Sequence, residues 1–220
     1  MRVWSEIRYM SVDLDLEQPG QTEKAESGGS GIVTRLLAGP GVSLLLMAVV
    51  SLATWTGFQA NNADPFILQA PLTEDWWQLP LSVFAHNGMP HLSGNAMLIA
   101  IFGSIAAISA SVFRYHVFFI VSGILAGIAH VLATGALGSS SGVLGASGAG
   151  MALMGYVLVS NGLSSIVFDR VSRTVTIGLV LALAVGITLW SASLQIANVA
   201  HFAGALIGGF AGYFHVLRPR

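Results

Sequence analysis

The chain has no cysteine among its 220 residues, which excludes disulfides, thiol nucleophiles and thiolate metal sites. Charge is nearly as scarce: 9% of residues are Asp, Glu, Lys or Arg, against roughly 25% in a soluble globular domain. A net charge of −1 leaves no basic surface for nucleic acid, so no such partner is expected. Also missing is a basic start followed by an early apolar core, and no cleavable signal peptide is expected.

What is present is apolar. Hydrophobic residues make up 54% of the chain and fall in blocks near the ~20 residues a helix needs to cross ~30 Å of hydrocarbon. Lipid offers the backbone no water, which favours helices over strands. The blocks read as six spans, 41–58, 91–111, 116–136, 147–163, 174–190 and 199–216. The expected fold is an all-α membrane protein, with residues 35–220 forming a six-transmembrane-helix bundle in the lipid bilayer. Residues 1–34, with EQPGQTEKAESGGSG, offer too little apolar surface to offset ordering entropy and are expected to be a disordered cytoplasmic tail.

The cations orient the spans. With the amino terminus in the cytoplasm, Arg2, Arg8, Lys24, Arg35, Arg114, Arg170, Arg173, Arg218 and Arg220 all fall inside, and these are every Lys and Arg in the chain. The positive-inside rule therefore predicts both termini cytoplasmic. Loops 59–90, 137–146 and 191–198 then face outward, and Trp55, Trp76, Trp77 and Trp190 lie near the outer boundary, where indoles settle.

Polar side chains inside a span are expensive and are functional candidates by default. The second span opens with HNGMPHLSGN, in which His91 and Asn95 are four apart and share a helix face. The fourth opens with GASGAGMALMGY and the sixth with ANVAHFAGALIGG. Taken alone, Ser147 is more often a helix-packing residue or an N-cap than a nucleophile, and a lone intramembrane His201 is often a structural hydrogen-bonder. Together they ask for more. Gly148 and Gly204 would let the fourth and sixth helices approach closely, as a Ser–His hydrogen bond of about 2.6–3.2 Å requires. Neutral imidazole suits the task of taking a serine proton near neutral pH. The resulting oxyanion would need donors, and the Ser147 amide, Asn95 and His91 are the candidates.

These three motifs, in this order, resemble those of rhomboid intramembrane serine proteases. His86, His91 and Asn95 stand at the family's spacing, followed by GASG at 145–148 and by AHFAG around His201. The resemblance implies a rhomboid-like bundle with a Ser147–His201 dyad opening to the outer side through a wet cavity. It also implies an oxyanion hole from His91, Asn95 and the Ser147 amide, supported by Gly145, Gly148, Met151 and Gly204. Substrates would be single-span proteins cut in or near their transmembrane helix. Two positions depart from the family pattern: Met151 stands where many relatives have a tyrosine stacked on the catalytic histidine, and Trp77-Gln78 replaces a Trp-Arg pair.

No acidic residue lies in any predicted span, so the base is expected to work without an orienting carboxylate, with activity rising as His201 loses its proton. No cofactor is expected. His86, His116, His130 and His215 lack the paired helical spacing with a nearby carboxylate that a metal site needs. His86 reads equally as a solvated loop residue or a cavity residue. GSSSG at 138–142 reads as a flexible loop. Two other functions compete: a non-catalytic rhomboid-like binder of transmembrane helices, and a small transporter. The transporter would need polar residues running across the membrane, whereas here they cluster at one depth.

Overall fold

The computed structural model describes residues 31–139, 141–160, 178 and 198–218. The expected fifth span, 174–190, and most of the expected tail lie outside the described residues. Six helices are described: α1 (Gly31–Gln59), α2 (Gln78–Phe84), α3 (Met89–Ser109), α4 (Val112–Ala136), α5 (Ser147–Ser160) and α6 (Asn198–Tyr213). Over the described residues the architecture is all-helical, as expected. α1, α3 and α4 are each long and apolar enough to cross a membrane. α5 and α6 are apolar but shorter over the described residues.

The faces of the long helices show what surrounds them. Leu45 is 63% exposed, Phe113 77% and Leu132 61%. Side chains of this size left in water would each forfeit about 1.5–3 kcal/mol of burial; against lipid they forfeit little. The chain is an integral membrane protein.

α5 lies at the centre. Every residue of it except Leu158 is buried, packed chiefly against α6 and α4. A helix apolar on all sides is a core helix, and α5 has no polar face to turn outward. The glycines of α6 set how near that helix comes to it. A Cβ on Gly204 would strike the carbonyl oxygen of Gly148, and one on Gly208 would strike that of Ala152. One on Gly212 would lie 2.8 Å from the Tyr156 oxygen. α5 and α6 thus meet backbone to backbone at every fourth residue, a small-residue seam of the kind that joins helices in lipid.

Local chemistry explains the breaks. α1 widens into a π turn over Leu37–Gly41 around Pro40, because proline lacks the N–H that would continue the ladder and crowds the preceding turn. α3 has a matching π turn over Ile99–Gly103, and Gly103 faces Pro40 and the Tyr115 hydroxyl. Ala110 turns extended, and the Ser111 hydroxyl then accepts the Arg114 N–H to start α4.

The two ends of the bundle differ. At one end, Arg35 donates to the Ile108 oxygen at 2.8 Å, Arg114 to the Arg218 oxygen at 2.6 Å, and Arg218 to the Ser160 oxygen at 2.8 Å. Cations there satisfy open backbone carbonyls, that of Ile108 in the last turn of α3 among them. α3, α5 and α6 all begin at the opposite end, with His91, Ser147 and His201 in their first turns.

Candidate active site

The segment leading into α5 is held on both sides. Leu68 and Val143 exchange two backbone hydrogen bonds of 2.9 Å, and the Gly145 N–H donates to the Ser82 oxygen at 2.8 Å. The segment 59–90, which carries no spanning block in the sequence, therefore supplies α2 and one bridge as a brace. Gly145 has φ +119°, a conformation that side chains rarely tolerate. Space forbids a side chain as well: a Cβ there would lie 2.7 Å from Cε1 and Nε2 of His91 and 3.3 Å from Nδ2 of Asn95. Both expected oxyanion residues thus close over the backbone two positions before Ser147.

Asn95 is 5% exposed, and its Nδ2 has no hydrogen-bond partner. That leaves a buried, unspent donor facing the turn. His91 is tied by Nδ1 to Asn87 Oδ1 at 3.0 Å. An amide oxygen only accepts, so in this arrangement Nδ1 carries the proton and Nε2 keeps its lone pair. For the neutral ring to donate from Nε2, the Asn87 amide must turn over, a rotation that exchanges two atoms of nearly equal size.

Ser147 and His201 open the two helices of the seam. Gly148, next to the serine, touches Gly204, and its own missing Cβ would lie 3.7 Å from the oxygen of Ala200, next to the histidine. Both side chains are 7% exposed. Neither ring nitrogen of His201 has a hydrogen-bond partner, so no hydrogen bond joins it to the Ser147 hydroxyl. An imidazole buried in this way costs about 1–3 kcal/mol per unmatched polar atom, and it leaves both a donor and an acceptor unspent. A cavity of about 10 Å³ between Ser82, Gly127, Gly145, Ser147, Gly148 and Ala200 has the size of one water.

The other named residues sort cleanly. Met151 is buried with Met154 and Ala205, and Phe202, the residue after His201, packs against that cluster. His116 donates to the Ala38 oxygen at 2.7 Å, His215 pairs with the Tyr213 oxygen at 3.2 Å, and His130 meets the Ser141 hydroxyl at 3.2 Å. Gln78, at the position of the expected arginine, is buried and donates to the Asp64 oxygen at 3.1 Å and to Asp75 at 3.4 Å, bracing the same segment. His86 is fully buried, which decides between its two sequence readings against the solvated one. Its partners are Ser51, Phe84 and Ala146, far apart in sequence; spacing alone gave no sign of them.

The family model for the Rhomboid domain matches residues 73–218. The chain belongs to the rhomboid family. A curated relative, the rhomboid protease AarA of Providencia stuartii, is 24% identical over 171 residues, which is 70% of this chain and 60% of that protein. The rhomboid match takes in every residue of the site, from Ser82 and His86 to His201. It leaves out α1, from which Ser51 reaches His86.

Proposed function

We propose that this rhomboid chain is an intramembrane serine endopeptidase that cleaves single-span proteins in or near their transmembrane helix. The observation that carries the reading is His201: a buried imidazole with both nitrogens free, at the mouth of a glycine seam whose facing helix begins with Ser147. His201 accepts the hydroxyl proton as Ser147 attacks the carbonyl carbon. The oxyanion is held by Asn95 Nδ2, the Ser147 amide at the positive end of α5, and His91 once its Nε2 carries a proton. The carbon–nitrogen bond then breaks as His201 protonates the leaving amine. Water, deprotonated by the same imidazole, releases the acyl group and restores the serine. The His201 proton therefore moves in both halves, and the rate rises with pH as the ring becomes neutral.

The membrane frame follows the cations: both termini in the cytoplasm and the serine end of the bundle toward the outer side. An intact substrate helix hides its carbonyls in hydrogen bonds, so cleavage should favour spans with glycine or other helix-weakening residues near the cut. The test is cleavage of tagged single-span proteins by the purified chain beside Ser147→Ala and His201→Ala. Cleavage lost in both folded variants supports the dyad. Cleavage that survives in either removes that residue from the mechanism. If nothing is cut and a fluorophosphonate does not label Ser147, the chain is a non-catalytic binder of transmembrane helices.

A further inference from the structure

His86 has no part in the steps above, yet it is fully buried at the junction of three elements. Nδ1 lies 2.9 Å from the Ser51 hydroxyl on α1 and 3.1 Å from the Phe84 oxygen at the end of α2. Nε2 faces the backbone N–H of Ala146 at 3.4 Å. The ring stands edge-on to His91, with centroids 5.0 Å apart. A carbonyl can only accept, so Nδ1 carries the proton. Nε2 is then left with the lone pair that the Ala146 N–H needs. One neutral tautomer satisfies every contact, and no other does.

We propose that His86 is a positioning residue, tethering the Ala146 amide beside the nucleophile to α1 and bracing the ring of His91. The proposal rests on the protease reading of Ser147. A proton on Nε2 would set N–H against N–H and break the tether. Burial, and secondarily the neighbouring His91, push the His86 pKa down to about 4, so the lone pair persists through neutral and mildly acidic pH. Among the described residues His91 is the one titratable group facing it: the α1 stretch Val42–Gln59 and α2 contain none, and Tyr156 lies about two-thirds of the way along α5.

Two substitutions separate the ring's two nitrogens. In His86→Gln the side-chain oxygen reaches the Nε2 position and accepts the Ala146 N–H; in His86→Asn the amide stays near the Nδ1 position and cannot. The full chain in liposomes gives two readouts: deuterium exchange of the segment before α5, and kcat and KM for a cleaved span. His86→Asn should speed exchange at Ala146 and lower kcat on the order of 10–100-fold with KM little changed, the size expected when reacting groups shift by a fraction of an ångström to an ångström. His86→Gln should recover most of both. Equal behaviour of the two variants, or exchange unchanged in His86→Asn, overturns the tether. Failure of the native chain to cleave in a Ser147-dependent way overturns the protease reading instead, and exchange then decides the tether alone.

Discussion

Substituting Gly204 by alanine adds one methyl group at the tightest point of the seam. Its Cβ would meet the carbonyl oxygen of Gly148, and that backbone cannot swing aside as a flexible side chain would. Gly148 has no room behind it either, since the Ala126 Cβ lies 2.6 Å from its own missing Cβ. Relief requires α5 and α6 to part by about 1 Å, and misplacement on that scale typically costs about 100-fold in rate. Overpacking of this kind costs about 1–3 kcal/mol, and better helix propensity returns roughly 0.5–1 kcal/mol. The net loss should be about 1–2 kcal/mol of stability. Gly135→Ala is the control, because nothing lies within 4 Å of its added Cβ; it should leave activity unchanged and stability equal or slightly raised. Thermal unfolding in detergent and initial cleavage rates measure both variants. If Gly204→Ala matches Gly135→Ala in both assays, the seam does not set the distance between Ser147 and His201.

Other perturbations test the remaining parts of the site. Gly145→Ala combines a forbidden φ with a clash against His91, and should cost about 1–3 kcal/mol and abolish cleavage; an active, stable variant would contradict the observed turn. Asn95→Ala removes the unspent Nδ2 donor and should lower kcat about 10²–10³-fold with KM nearly constant, whereas a rise in KM alone would assign Asn95 to substrate binding. Unfolding free energy should fall with acid. His86 is held neutral down to about 4 when folded, against 6.5 for the ordinary group, so its contribution is complete above pH 6.5 and lost as pH falls toward 4. The gap corresponds to about 3 kcal/mol, and His86→Gln should flatten that limb of the stability curve.

The membrane class and the dyad candidates were legible because lipid imposes strict rules on sequence. Apolar blocks of spanning length gave the three long helices to within a few residues at most ends, although α1 starts at Gly31, well before the expected 41. Residues 31–40 carry Arg35 and Pro40, which lower the apolar average, but Arg35 finds the Ile108 oxygen and Pro40 is absorbed by the π turn. Gly148 and Gly204 were legible as a close contact because a small residue every fourth position has few other uses in lipid. Burial of His86 was not: its partners come from α1, α2 and the turn before α5, and such a meeting is written in the tertiary fold alone. The brace from the segment between α1 and α3 was hidden for the same reason. Leu68 and Val143 pair through backbone atoms, which leave no trace in residue type.

The contrast between the two ends of the bundle gives the molecule a chemical polarity. Arginine keeps its proton at any physiological pH, so the clasps of Arg35, Arg114 and Arg218 hold whatever the acidity. Imidazoles change charge within a few units of neutrality, and His86, His91 and His201 gather at the other end. The proposed catalytic groups therefore answer to the acidity of the compartment that faces the serine end, while the arginine clasps at the other end do not.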